Sequence, residues 1–195
     1  LLDELLDLTR MTRGTIRLHR RPVHLPELLR HAVNAVQPTL DQRRHRLVLV
    51  LPAEPVGIEA DPGRLQQAVV SLLQNAALYT EPGGEIRLRL AAADGELVIE
   101  IQDTGRGIDA ADRERIFEPF AQVREEGELS EGLGLGLPLA RHLVELHGGR
   151  LLVHSRGTGR GSTVRRVLAR VGAPPPPPQG DGGPAAAGAG AGRRI

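Results

Sequence analysis

Hydrophobic spacing divides the chain into alternating helical and extended stretches. Leu1, Leu2, Leu5, Leu6 and Leu8 share one helical face, so the chain opens on an amphipathic helix that ends near Gly14. Residues 15–18 read as a short strand. A helix over 25–36 is started by Pro26 and stopped by Pro38. Residues 47–51 and 56–59 predict two short strands around a turn containing Pro52 and Pro55. Asp61 and Pro62 then open a helix to about Tyr79, one as a cap and the other as a first-position proline. Leu65, Val69, Leu72, Leu73 and Ala76 form its buried stripe. Ile86, Leu88 and Leu90 alternate with charges, as do Leu97, Ile99 and Ile101, and Ala93-Asp94-Gly95 between them predicts a hairpin. A short helix near 110–116 follows, then a glycine-rich loop and a helix over 138–147 with Pro138 at its first position, ended by Gly148-Gly149. A last hairpin joins 151–154 to 163–168. The pattern predicts an α/β fold, a two-layer sandwich with helices packed on a mixed sheet.

This pattern stops at about residue 171. Of the 24 residues from Gly172 to Ile195, 19 are Gly, Ala or Pro, too few apolar groups to offset the entropy of ordering. The chain thus divides into an opening helix over 1–14, a body over 15–171 and a linker or disordered tail over 172–195. Composition removes several kinds of chemistry. All 25 basic residues are arginine, which excludes lysine phosphate loops and Schiff bases. There is no cysteine, hence no disulfide or thiolate site. A net charge of +1 and 2% aromatics argue against nucleic acid as a partner. No apolar run reaches the roughly 18 residues needed to span a bilayer, and the start lacks the features of a secretory signal, so a cytoplasmic location is expected.

Four segments carry candidate chemistry. Asn75, four residues after Ser71 on the same helix face, offers an amide oxygen suited to a hard cation such as Mg²⁺; alone, it reads first as a cap or a satisfied core residue. Asp103, at a strand end before Gly105 and Gly107, can accept from an exocyclic amine, although an ordinary strand-exit turn has the same form. Phe117 and Phe120, the chain's two phenylalanines, suit a hydrophobic anchor beside a glycine loop. Gly132, Gly134 and Gly136 precede a helix, and amides at a helix start bind phosphate.

In this order and at these separations the segments resemble the catalytic ATP-binding domain of bacterial sensor histidine kinases, within the gyrase, Hsp90, histidine kinase and MutL superfamily. The resemblance covers roughly residues 18–171 and implies the family's Bergerat-type sandwich. It implies that Asn75 holds the metal and serves catalysis, and that Asp103 reads adenine with Gly105, Gly107 and Ile108 in the first glycine box. Ile116-Phe117-Glu118-Pro119-Phe120 matches the phenylalanine box. Gly132, Gly134, Leu135, Gly136 and Leu137 match the second glycine box, which closes a lid over the triphosphate. Ser162 falls where the family places Thr or Ser near the adenine pocket. Residues 3–10 resemble the end of the dimerisation and phosphoacceptor hairpin.

Several positions depart from the family. Ser71 stands where kinases commonly have Asn and hydrolysing relatives a water-activating Glu, so an ATPase reading loses its general base. Leu78 stands where many kinases place a phosphate-contacting Lys, a charge that Arg106 or Arg124 would have to supply. The lid before Gly132 is acidic, and self-repulsion favours an open, mobile form. None of the seven histidines sits in a phosphoacceptor motif. The expectation is a catalytic fragment that binds ATP and Mg²⁺ and phosphorylates a histidine on a hairpin supplied by a missing N-terminal part or another chain. A homodimer is implied for the full-length protein. A response-regulator receiver is the implied partner, and Arg193-Arg194-Ile195 resembles the start of one fused after the tail. The alternative is a nucleotide-binding regulatory module without transfer.

Overall fold

The structure is a computed structural model that describes residues 6–7, 9–11, 13–93, 96–121, 133–155, 157, 159 and 161–169. Its order is β1 (Arg21–His24), α1 (Leu25–Gln42), β2 (Arg46–Val50), β3 (Gly57–Ala60), α2 (Pro62–Tyr79), β4 (Glu85–Ala93), β5 (Glu96–Asp103), two 3-10 turns, α3 (Gly136–Leu146), β6 (Arg150–Ser155) and β7 (Ser162–Ala169). Five strands form one mixed sheet in the order β2-β4-β5-β7-β6. Only the β2–β4 pair is parallel. β1 and β3 make a separate antiparallel pair with Arg21 opposite Ala60.

One core lies between the helices and the sheet. Alternation puts Ile86, Leu88 and Leu90 of β4 and Leu97, Ile99 and Ile101 of β5 on the helix side, each nearly inaccessible to water. The facing stripe of α2, with Leu65, Val69, Leu72, Leu73 and Ala76, is equally buried. The core is almost wholly aliphatic, as the composition requires.

Helix α2 lies between α1 and α3 and is fixed at both ends. Asp61 caps its start, Oδ1 accepting from the Arg64 N–H at 3.1 Å. At its end the carbonyls of Ala77, Leu78 and Tyr79 meet His45 Nε2 (2.9 Å), the Arg43 guanidinium (3.1 Å) and the Arg106 N–H (3.1 Å). Carbonyls that a helix end would otherwise leave without partners are thus taken up by two separate segments, the α1–β2 turn and the loop after β5.

Four elements differ from the pattern-based expectation. Helix α1 runs through Pro38 to Gln42. The proline removes one helical hydrogen bond, but Leu40, fully buried, continues the stripe of Val33 and Val36 and offsets that loss. The helix ends instead in a Schellman turn at Arg44 (φ +57°), with the His45 N–H bonded to the Leu40 carbonyl at 2.8 Å. Residues 15–18 form no strand; β1 begins only at Arg21, opposite the last residue of β3. Ahead of it the His19 N–H takes the Asp61 carboxylate (2.9 Å) rather than a ladder partner, and Arg20 caps the Leu146 carbonyl of α3 (2.8 Å). Helix α3 begins at Gly136, which makes Pro138 its third residue, still within the turn whose N–H groups have no helical acceptor. The stretch near 110–116 is two 3-10 turns, Ala110–Asp112 and Arg115–Phe117, not one helix. Both expected hairpins form, and Gly148-Gly149 ends α3 in a second Schellman turn.

The opening helix is described at residues 6–7 and 9–11 and is bound to the body. Asp7, 6% exposed, accepts from the Arg64 guanidinium (2.9 Å) and the Gln67 amide (2.6 Å) on α2.

Asp61 sets a pH dependence. Burial pushes its carboxyl up, but the N–H groups of His19, Arg64 and Gly63 and the nearby His147 outweigh it and hold it below its ordinary value of 3.8. A lowered folded value contributes stability that is complete above the ordinary carboxylate range and is lost as pH falls through the folded value. Asp61→Asn should therefore unfold at lower urea than wild type at pH 7. The difference should shrink below pH 3.8; chemical denaturation at pH 7, 4 and 3 measures it.

Candidate active site

A cavity of about 220 Å³ opens between the C-terminal half of α2, the end of β5, the start of α3 and the start of β7. Ile101, Val153 and Val164 from the sheet and Leu72 and Ala76 from α2 give it apolar walls.

Asp103 stands at one end, 7% exposed. Its Oδ1 accepts from the N–H groups of Gly105 (2.9 Å) and Ser162 (3.1 Å), and its Oδ2 accepts from the Ser162 hydroxyl. A carboxylate offers about four acceptor positions. Three are used by the protein, and one remains on a group that lines the cavity.

The loop after Asp103 is packed so tightly that only glycine fits. A Cβ on Gly105 would lie 2.2 Å from the Tyr79 carbonyl oxygen, and one on Gly107 (φ +76°) 2.2 Å from the Gly157 carbonyl oxygen. Gly105 binds the closing hairpin through its carbonyl, which accepts from the Gly161 N–H at 2.9 Å. Ser155, a residue the pattern did not single out, fixes the loop from β6. Its buried hydroxyl accepts from the Ile108 N–H (2.9 Å) and the Gly157 N–H (3.2 Å) and donates to the Gly161 carbonyl (2.9 Å). A serine at a strand end carries no signal of this in sequence.

At the other end α2 meets the start of α3. Asn75 and Ser71 line the cavity one helical turn apart. A Cβ on Gly136 would fall 2.8 Å from the Ser71 hydroxyl and 3.7 Å from Asn75 Oδ1, so the first turn of α3 lies directly on these two side chains. Gly134 (φ +69°), Leu135, Gly136 and Leu137 all line the cavity. N–H groups in such a first turn, with the helix dipole behind them, suit phosphate oxygens. Arg106 places its guanidinium over the Tyr79 ring, 4.4 Å from the centroid, and both residues line the cavity.

The structure therefore brings Asn75, Asp103, Gly107, Ile108, Gly134, Leu135, Gly136, Leu137 and Ser162 to one cavity. Gly105 supports it from behind. Phe117 is off the wall, packed on the core with Arg141 over its ring at 4.9 Å. Phe120 is 59% exposed: its backbone is left-handed (φ +65°), and its N–H bonds to the Gly134 carbonyl (3.3 Å), so only Phe117 of the expected pair anchors in the core. Gly132, Arg124 and the acidic stretch 122–131 lie outside the described residues, as does the tail.

Among the described residues no three His, Cys, Asp or Glu side chains cluster as a metal cage. A single amide oxygen at Asn75 nonetheless fits Mg²⁺, which keeps waters and takes substrate phosphates as its other ligands.

A carboxylate in an apolar pocket facing helix-start amides, on an α/β sandwich, defines a nucleotide-binding domain. Residues 60–171, more than half of the chain, match the family described as Histidine kinase-, DNA gyrase B-, and HSP90-like ATPase; the chain belongs to this family and carries its ATP-binding catalytic module. It is 35% identical over 170 residues to the circadian input-output histidine kinase CikA of Synechococcus elongatus, covering 84% of this chain and 22% of that protein. It is 33% identical over 164 residues to the histidine protein kinase DivJ of Caulobacter vibrioides, covering 84% and 27%. The chain thus spans about a quarter of the length of these relatives. Among solved structures, full-length ShkA in complex with AMPPNP superposes with a TM-score of 0.76 at 28% identity, over 88% of this chain and 36% of that one.

The glycine contacts separate two variants. Ala at Gly105 meets main chain that cannot yield and should destabilise the fold by about 1–3 kcal/mol. Ala at Gly136 meets the Ser71 hydroxyl, which can rotate away, and should cost less. Thermal melts of both variants, and of Gly136→Ala with Ser71→Ala, measure the order.

Proposed function

We propose that this chain is the catalytic part of a sensor histidine kinase that binds Mg-ATP and transfers the γ-phosphoryl group to a histidine on a dimerisation hairpin. The observation that carries the reading is the Asp103 carboxylate, with three protein donors and one acceptor position left on the cavity. That position suits the exocyclic amine of adenine, while Ile101, Val153 and Ile108 offer the apolar surface a base requires.

At the far end the N–H groups of Gly134 to Leu137 bind phosphate oxygens, and Asn75 Oδ1 is the ligand for Mg²⁺. The ion, when bound, neutralises charge on the phosphates. In the transfer, a bond forms between the acceptor imidazole nitrogen and the γ-phosphorus as the bond to the β,γ-bridging oxygen breaks, and ADP leaves. No wall residue need act as a base, because an imidazole nitrogen attacks with its own lone pair. The domain holds and orients the nucleotide; the acceptor comes from the hairpin, in a dimer whose phosphoryl group passes to a response-regulator receiver in the cytoplasm. The reading agrees with relatives named as histidine kinases and with the AMPPNP complex of ShkA.

One observation favours a second reading, a regulatory nucleotide-binding module. Ser71 and Leu78 both line the cavity, and neither brings charge to the triphosphate. Acid-labile, base-stable labelling of an added hairpin from γ-labelled ATP distinguishes the two. Tight ATP binding without labelling of any hairpin supports the module.

Asp103→Asn keeps an oxygen for the Gly105 and Ser162 N–H groups but turns an acceptor at Oδ2 into a donor. It should weaken ATP by about 1.5–3 kcal/mol, roughly tenfold to a hundredfold in Kd by calorimetry. Equal affinity in the two proteins removes the adenine assignment. The chain alone, without a hairpin, should show no labelled histidine.

A further inference from the structure

We propose that Arg106 binds the phosphate chain of the nucleotide and supplies from the glycine loop the cation that α2 lacks. The proposal rests on the ATP reading above. Helix α2 gives the cavity wall only uncharged side chains, including Ser71, Gln74, Asn75 and Leu78. Among the described residues Arg106 is the one cationic side chain on that wall. A nucleoside triphosphate brings about four negative charges into a space that also holds the carboxylate of Asp103, so a cation is the missing counterpart.

The position of Arg106 is fixed from three sides. Its N–H donates to the Tyr79 carbonyl at 3.1 Å, its own carbonyl accepts from the Gly159 N–H, and its guanidinium stacks on the Tyr79 ring. Tyr79 follows Asn75 by four residues on the same helix face, about 6 Å along the axis. The guanidinium is therefore held one turn from the metal-binding amide, on the same wall. Stacking engages the face of a guanidinium, whereas its N–H donors lie in the plane and address phosphate oxygens edge-on. The flanking glycines are imposed by backbone contacts on both sides, so the arginine between them cannot drift with its loop. The ring orients the cation in place of a flexible lysine stem.

Calorimetry on the 195-residue chain with adenosine, AMP, ADP and ATP tests this. In Arg106→Gln, which keeps a planar polar side chain without charge, adenosine affinity should stay within twofold of wild type, while ATP should weaken at least tenfold. The ATP affinity of wild type should fall more steeply with salt than that of the variant. Leu78→Arg added to Arg106→Gln should recover part of the loss, because it returns a cation to the same cavity. Equal weakening of adenosine and ATP would mean that Arg106 only shapes the pocket, and would overturn the proposal. So would ATP binding unchanged in Arg106→Gln. Failure of wild type to bind any of the four compounds would overturn the ATP reading and this proposal together. Arg106→Lys, in which charge stays but the flat stack is lost, should bind ATP between the two.

Discussion

The carboxylate of Asp103 is the constraint on which the site depends. It ends the central strand β5 and collects the N–H of Gly105, two residues on, and both the N–H and hydroxyl of Ser162, 59 residues away. Those bonds join the exit of β5 to the start of β7, its neighbour in the sheet. They also set where the glycine loop begins, and hence where Arg106, Gly107 and Ile108 fall. A buried carboxylate with fewer donors would be costly; this one is stabilised by the backbone it organises and still has capacity for a ligand.

The second half of the site is a matter of two helices. α2 is capped by Asp61 at its start and held at its end by groups from the α1–β2 turn and the glycine loop. Its register is thereby fixed, and with it the positions of Ser71 and Asn75. α3 then approaches so closely that a side chain at 136 would have to turn the Ser71 hydroxyl aside. The two ends of the cavity thus rest largely on different elements, and the rigid span of α2 relates one to the other.

Much of this was legible in the sequence, for a physical reason. Glycines at 105, 107 and 134 are demanded by backbone contacts, and such demands leave residue-type signatures at fixed spacing. Buried strands and the stripe of α2 show their periods directly. The misread elements were those where a distant group decides. Pro38 marks a helix stop unless Leu40 has a core to enter; residues 15–18 look extended and paired unless Asp61 takes the His19 N–H; Pro138 looks like a helix start unless Gly136 is already helical. Ser155 and the stack of Arg106 on Tyr79 are tertiary contacts between residues of unremarkable local pattern.

The aliphatic core has an optical consequence. The chain has one tyrosine and no tryptophan. That tyrosine, Tyr79, lines the cavity beneath the Arg106 guanidinium. Phe117 and Phe120 emit far more weakly than tyrosine, so nearly all of the protein's near-ultraviolet emission originates at this cavity, with no indole elsewhere to mask it. A ligand that displaces the guanidinium or shields the ring changes the only bright fluorophore the molecule possesses, so the unlabelled protein is its own reporter of occupancy.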